Sequence, residues 1–154
     1  MFHVVLFQPE IPPNTGAIIR LCGATKTQLH LIGPLGFRLD EAAVRRAGMD
    51  YQELAEVKRW SDWSAYQTQL PADNRTFVLS THGRQSHTDV AFKPGDRLLF
   101  GSEGSGLPET IRTEHARRLL RIPMVSEARS LNLAVSVSIV LYEALRQVEF
   151  EGLS

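Results

Sequence analysis

Short apolar runs alternate with helical segments along the chain, and this alternation is the feature that most limits the fold. The run over residues 2–7 is almost continuously apolar, as expected for a strand that is buried on both faces. Further strands are predicted at 28–32, 54–58, 75–80, 97–100 and 119–122, and helices separate most of them. Strands and helices that alternate in this way form a mostly parallel sheet with helices on both faces. The sequence therefore predicts an α/β fold.

The length and composition fit one globular domain, which we predict over residues 1–154. Hydrophobic residues make up 43% of the chain and charged residues 22%, both ordinary shares. No apolar run approaches the roughly 20 residues that a membrane span requires. The single cysteine, Cys22, fits a reducing compartment. We therefore expect a cytoplasmic protein without a membrane segment.

The charge pattern leaves the class of ligand open. The formal net charge is zero, which neither supports nor excludes binding to nucleic acid. Five arginines nevertheless fall between residues 112 and 129, with two glutamates in the same stretch. Such a cluster is either a solvated face or part of an RNA-binding surface. The five histidines show no H-x-x-x-H pair, and one cysteine cannot build a structural zinc site, so we predict no metal.

A glycine-rich segment, 101–106, follows a predicted strand and is the first candidate site. No lysine follows Gly106, so it is not a Walker A loop, and its spacing is not that of a dinucleotide-binding turn. The nucleophile-elbow pattern is absent around both of its serines. Three glycines in six residues allow a backbone to approach a ligand closely, and Glu103 adds an acceptor. A tight turn with incidental glycines is the alternative.

The segment from Pro12 to Arg20 is the second candidate site. We predict that Asn14 caps a helix, which places Gly16 and Arg20 one turn apart on one face. Arg20 then lies over the bare backbone of Gly16 and points to the N–H groups at the helix start, an arrangement suited to a phosphate. The alternative is an ordinary cap with a surface arginine.

The third candidate site begins at a proline that ends the strand at residue 122. Ile122, Met124 and Leu131 are predicted to wall an apolar slot suited to an adenine ring. Ser130 and Asn132 follow in a pattern that supplies polar groups to such a slot. The alternative is a strand end followed by a well-capped core helix.

Together, and in this order, the three segments resemble the motifs of the SPOUT (SpoU-type) RNA ribose 2'-O-methyltransferases. The first motif matches at Asn14, Gly16 and Arg20, the second at Gly101, Glu103, Gly106 and Leu107, and the third at 122–124 and 130–133. Further stretches at 9–16, 19–22, 34–37 and 45–51 are similar to the members that modify the wobble nucleotide of tRNA. The likeness covers almost the entire chain.

The resemblance implies features that the alternation of elements does not. Members of the family tie a deep trefoil knot in the C-terminal part, and the knotted loops hold S-adenosylmethionine. They act on RNA as homodimers whose active site is shared across the interface, where the last helix and Tyr142 are expected. The implied reaction is 2'-O-methylation at the wobble cytidine or modified uridine of tRNA, in leucine tRNAs. Another tRNA or ribosomal RNA site, or a non-catalytic RNA-binding role, is the alternative.

The resemblance also implies roles for individual residues. Arg20 is the catalytic residue, and because a charged guanidinium has no acceptor, we expect it to position the RNA and stabilise developing negative charge rather than act as a base. Asn14 orients Arg20, and Glu103 supports the glycine loop. The cofactor is expected at Leu79, Gly101, Ile122, Met124, Ser130 and Leu131, and the RNA at Arg20, Arg129 and Tyr142.

Overall fold

The computed structural model describes residues 1–46, 48, 49, 53 and 56–154. In these residues the strands are β1 (His3–Phe7), β2 (Gln28–Ile32), β3 (Lys58–Trp60), β4 (Thr76–Leu79), β5 (Gln85–Ser86), β6 (Arg97–Phe100) and β7 (Leu119–Arg121). The α-helices are α1 (Pro12–Ala24), α2 (Glu41–Arg46), α3 (Trp63–Thr68), α4 (Glu109–Glu114) and α5 (Leu133–Gln147). Short 3-10 turns cover His87–Asp89 and Ala116–Arg118.

The strands form one sheet in the order β3-β2-β1-β6-β4-β7-β5, and neighbouring strands pair in parallel. This confirms the predicted α/β class with a parallel sheet. Because the strands are parallel, their carboxyl ends meet at the same edge, where ligands bind in open α/β sheets. That edge carries the loops after β1, β4, β6 and β7, which include all three candidate sites.

Alternate residues of the strands face two apolar cores, one on each side of the sheet. Val4 packs into the larger core with α1 and α5, whereas the next residue, Val5, packs into the smaller core. Tyr66 of α3 and Ile111 of α4 belong to the smaller core. Successive side chains of a strand point to opposite faces. A strand covered by helices on both sides is therefore apolar throughout, as the N-terminal run is.

The prediction that Asn14 caps α1 is wrong. The helix begins three residues earlier than that cap predicts, at Pro12, and its N-cap residue is Ile11, which makes no side-chain cap. Proline is well suited to the first turn because the N–H groups there have no partner within the helix. The two consecutive prolines therefore start the helix rather than precede it. Gly16 and Arg20 still lie one turn apart within α1.

The capped helix expected after the strand that ends at residue 122 is observed as α5, but two shorter elements differ from expectation. Asn132 caps α5 by accepting a hydrogen bond of 3.2 Å from the N–H three residues later. The region between the predicted strands at 75–80 and 97–100 contains β5, whose two residues are too few to show a periodicity. The strand predicted over 54–58 is observed slightly later in the chain, as β3, and residues 54 and 55 lie outside the described residues.

An interior network of five side chains lies between the sheet and α3, and three of them, His30, Tyr66 and Arg97, are buried. Nε1 of Trp60 donates to Nδ1 of His30 at 3.1 Å, and the other nitrogen of His30 lies 3.0 Å from Nδ1 of His3. An indole N–H can only donate, so Nε2 of His30 carries the proton and donates to His3. Arg97 donates to the hydroxyl of Tyr66 at 3.1 Å. Burial, and then the Arg97 cation, lower the pKa of His30 to about 3 and that of His3 to about 4, so both rings are neutral.

Candidate functional site

The glycine loop, 101–106, is closed by a pair of backbone hydrogen bonds. The N–H of Ser102 donates to the carbonyl of Gly106 at 3.2 Å, and the N–H of Gly106 donates back at 2.9 Å. A Cβ atom on Gly101 would lie 2.3 Å from the carbonyl carbon of Gly106. Gly106 itself has a φ of 66°, in the left-handed region that favours glycine. The loop is therefore a fixed tight turn whose shape requires its glycines.

Glu103 joins this loop to the start of α1. Its Oε1 accepts a hydrogen bond of 2.9 Å from the N–H of Glu10. Its Oε2 accepts bonds of 2.7 Å from the N–H of Ile11 and 3.3 Å from Nδ2 of Asn14. These donors lie at the N-terminal end of α1, where the helix dipole favours a negative charge. Glu103 therefore holds the backbone just before α1, where a cap by Asn14 was predicted.

Asn14 connects the same helix to the start of α5. Its Oδ1 accepts a hydrogen bond of 3.0 Å from Nδ2 of Asn132, the residue that caps α5. The three candidate segments, which are far apart in the sequence, thus meet through Glu103, Asn14 and Asn132. We call these three side chains the edge network, because they lie at the carboxyl edge of the sheet. The structure places the three sequence motifs at one site.

A cavity of about 510 Å³ opens beside the edge network, at the carboxyl ends of β4, β6 and β7. This volume is typical of a site for a small molecule. All six residues predicted to bind the cofactor line the cavity, namely Leu79, Gly101, Ile122, Met124, Ser130 and Leu131. Asn14, Glu103 and Arg129 also line it. The structure brings these residues together, and their binding of a cofactor stays a prediction.

Arg20 and Tyr142 are not among the residues that line the cavity in the described part of the chain. Arg20 is exposed on α1. Tyr142 is exposed on α5, with its ring 6.2 Å from that of Phe150. Within the described residues, the cavity of one chain therefore includes the predicted cofactor residues but not the predicted catalytic arginine.

Five further cavity residues were not singled out by the motifs, namely Ser80, Thr81, His82, Arg112 and Ser136. The first three directly follow β4, and the tendency of ligands to bind at the carboxyl ends of parallel strands was a signal that could have found them. Ser136 lies one turn after Asn132, so it shares a face of α5 with the cap. Arg112 stood out only as a member of the arginine cluster. Its Nε is buried and has no hydrogen-bond partner in the described part of the chain.

The described residues contain neither a cluster of metal ligands nor a membrane-spanning helix. Among them, no group of three or more His, Cys, Asp or Glu side chains is arranged to hold a metal ion. No helix in the described ranges is both long enough and apolar enough to cross a membrane.

The sequence matches the model of the SpoU rRNA methylase family over residues 1–142. The chain belongs to this family. A relative from Aeromonas hydrophila subsp. hydrophila, named tRNA (cytidine(34)-2'-O)-methyltransferase, is 51% identical over 153 residues. That alignment covers 99% of this chain and 97% of the relative. The family identified from the three motifs, and the prediction of a tRNA ribose methyltransferase, are thereby confirmed.

Two solved structures are similar over nearly the whole chain. One comes from work on the 2-OH methylation of C/U34 on tRNA, with a TM-score of 0.88, 44% identity and 97% of each chain covered. The other is an AdoMet-bound rRNA methyltransferase from Sinorhizobium meliloti, with a TM-score of 0.77 and 30% identity. It aligns with 96% of this chain and 56% of its own. Membership of the family also implies the C-terminal trefoil knot.

Proposed function

We propose that the protein transfers a methyl group from S-adenosylmethionine to the ribose 2'-oxygen of the wobble nucleotide of tRNA. The target nucleotide is cytidine or a modified uridine, in leucine tRNAs. The cavity carries this proposal, because all three motifs contribute to its wall and all six predicted cofactor residues lie there. The names of the relatives, which specify cytidine 34 of tRNA, support the choice of target.

The cavity residues suit the adenosine part of the cofactor. Leu79, Ile122 and Met124 offer apolar surface to a purine ring, and Ser130 offers a hydroxyl group. The bare backbone of Gly101 lets a ligand approach closely. The bound sulfonium supplies a methyl group that is already activated. The protein therefore contributes mainly by positioning, which is worth about 7–11 kcal/mol in ideal cases.

Arg20 is assigned the role of holding the RNA and stabilising charge. A guanidinium offers five N–H donors and no acceptor, so it binds phosphate well and cannot take a proton while charged. It stabilises the negative charge that develops on the ribose oxygen as the 2'-hydroxyl gives up its proton to water or to the RNA phosphate; the oxygen then takes the methyl group, and S-adenosylhomocysteine is the leaving group. Glu103 and Asn14 support this role, because they fix the first turn of the helix that carries Arg20.

We propose that two copies of the chain build the active site together. Since Arg20 does not line the cavity of its own chain in the described ranges, an Arg20 from a second copy is needed to complete the site. Apolar side chains are exposed at the cavity and along α5, namely Ile11, Leu131, Val135 and Tyr142, with 36% to 47% of each accessible. Exposed apolar surface of this kind is typical of an interface.

Mapping of the methylated nucleotide tests the reaction. The protein is incubated with total tRNA, ribosomal RNA and tritiated S-adenosylmethionine, and the labelled nucleotide is identified. We expect label on the 2'-oxygen of nucleotide 34 of leucine tRNAs, the position in the name of the relatives. Label confined to ribosomal RNA or to another tRNA position would contradict the wobble assignment. An absence of label from every RNA would contradict the proposed activity.

Subunit mixing tests the shared active site. Arg20→Ala removes the arginine, and Ser130→Phe fills the cavity, so each variant alone is expected to be inactive. Random mixing of two inactive homodimers gives mixed dimers with one complete site, and recovers about a quarter of wild-type activity. A mixture that forms mixed dimers and stays inactive would show that each chain uses its own Arg20. A monomer in sedimentation would contradict the dimer itself.

A further inference from the structure

Glu10 lies between two loops at the carboxyl edge of the sheet, beside the cavity mouth. A Cβ atom on Gly36, in the loop after β2, would lie 3.1 Å from Cα of Glu10. A Cβ atom on Gly104, in the glycine loop, would lie 3.2 Å from Oε2 of Glu10. Both distances are shorter than an ordinary van der Waals contact. The two glycines therefore form the walls of a slot that the Glu10 side chain occupies.

The backbone of Glu10 is fixed from both sides as well. Its N–H and that of Ile11 donate to the two carboxylate oxygens of Glu103, at 2.9 and 2.7 Å. The preceding carbonyl, of Pro9, accepts a hydrogen bond of 3.2 Å from the N–H of Gly36. The Glu10 side chain therefore projects from a fixed backbone, and little ordering is needed before it binds a ligand.

The carboxylate of Glu10 has no hydrogen-bond or salt-bridge partner among the residues that the structure describes. It is exposed. Its neighbours Ile11 and Gly104 line the cavity, whereas Glu10 lies just outside. A positioned carboxylate at this place repels an RNA phosphate and accepts hydrogen bonds from a donor on the substrate.

We propose that Glu10 reads the wobble base by accepting a hydrogen bond from the exocyclic amino group of cytosine. This inference rests on the proposed function and adds a specificity-determining residue that none of the three motifs contains. Cytosine presents an amino donor at the position where uracil presents a carbonyl acceptor, and glutamate is one of the side chains that accept from that amino group. Glu10 therefore favours cytidine over unmodified uridine at the wobble position.

The test uses two transcripts of one leucine tRNA that differ only in having cytidine or uridine at the wobble position. A well-formed base contact contributes about 1–3 kcal/mol. We therefore expect Glu10→Ala to lower kcat/KM for the cytidine transcript by roughly 5- to 150-fold, and to leave the uridine transcript within about twofold. Glu10→Gln keeps a carbonyl acceptor of the same size and retains part of the preference. Glu114→Ala, an exposed carboxylate on α4, is the matched control and changes neither transcript.

The other outcomes distinguish a failure of the base-reading role from a failure of the proposed function. Equal losses on the two transcripts, or no loss on either, would overturn the base-reading role while leaving the proposed function intact. Weaker binding of S-adenosylhomocysteine to Glu10→Ala in calorimetry would assign the carboxylate to the ammonium group of the cofactor, which also overturns it. If the wild-type protein fails to methylate the wobble nucleotide of any tRNA, the proposed function fails, and this inference falls with it. If Glu10→Ala does not fold, Glu10→Gln replaces it, because this variant preserves side-chain volume. It is compared with wild type on the same two transcripts. An unchanged preference for cytidine would overturn the base-reading role.

Discussion

The interior network and the edge network of this protein differ in burial, in charge and in the elements that they join. The interior network closes on itself: His3, His30 and Trp60 satisfy one another by hydrogen bonds, and burial keeps both imidazoles neutral. The edge network is more open to solvent and carries the charge of Glu103, which is shared among donors about 90 residues away in the sequence. The interior network joins strands to α3, whereas the edge network joins the three motifs.

This difference separates the residues that stabilise the fold from those that contribute to activity. The interior network, which keeps its two imidazoles neutral beside the Arg97 cation, contributes to stability, because breaking it leaves a buried donor or acceptor without a partner. An open network next to a cavity leaves groups available to ligands, and its own bonds are weakened by solvent. We therefore expect variants of the edge to change activity more than stability, and variants of the interior to do the reverse.

The largest effect is expected at Arg20, which the edge network positions through α1. Loss of one group that stabilises developing charge typically lowers kcat by about 10²- to 10³-fold. Arg20→Ala is therefore expected to lose methyl transfer by this factor, while calorimetry shows unchanged binding of S-adenosylhomocysteine. Arg20→Lys keeps the charge without the planar fork and recovers only part of the rate. Normal turnover in Arg20→Ala would exclude the catalytic role.

A smaller loss is expected when the edge network itself is cut. In Glu103→Ala the N–H groups of Glu10 and Ile11 lose their acceptor, and we expect a drop of roughly tenfold in kcat/KM, since hydrogen bonds to a charged group contribute about 1.5–3 kcal/mol before screening by solvent. Hydrogen exchange at these two amides should accelerate. Glu103→Gln retains one acceptor oxygen, so its kcat/KM should lie between those of the wild type and Glu103→Ala. Unchanged exchange at both amides would show that Glu103 does not hold the start of α1.

The interior network is expected to affect stability through pH. The folded-state pKa of His30 is about 3 and that of His3 about 4, both below the ordinary value of 6.5, first because of burial and then because of Arg97. Below pH 6.5 the two histidines bind protons in the unfolded chain, whereas in the folded chain they stay neutral until the pH approaches their lowered pKa values. The contribution of these histidines to the free energy of unfolding is therefore fully present above pH 6.5, and it decreases as the pH drops toward 4.

Urea unfolding of the wild type and His30→Gln between pH 7 and pH 4 measures this effect. The variant is less stable at pH 7 because Trp60 loses a well-placed acceptor, but its stability should fall less steeply with acid. Methyl transfer at pH 7 should stay within about twofold of wild type, in contrast to the edge variants. Parallel pH profiles for the two proteins would remove His30 as a source of the acid sensitivity.

The same contrast explains which features the sequence could predict. Both cores follow from the continuously apolar strands that alternate with helices, and the cap of α5 follows from Asn132, because these depend on local sequence. The start of α1 could not be predicted, since the acceptor for its N–H groups, Glu103, lies about 90 residues later in the chain. The cavity residues after β4 and the pairing of His3 with His30 likewise depend on strand order. The wobble target and the knot came from the family resemblance, not from spacing.

The smallest effect is expected at Arg129, which lies at the cavity but outside both networks. It is exposed and makes no salt bridge within the described residues, so its removal should leave stability and cofactor binding unchanged. If it contacts an RNA phosphate, Arg129→Ala weakens tRNA binding several-fold and reduces the slope of log affinity against log salt by roughly one. Arg59→Ala, on the far strand β3, is the control with the same change of charge. Equal slopes for the two variants would place the RNA away from Arg129. The functional residues at the carboxyl edge of the sheet would then be limited to the segments that the edge network joins.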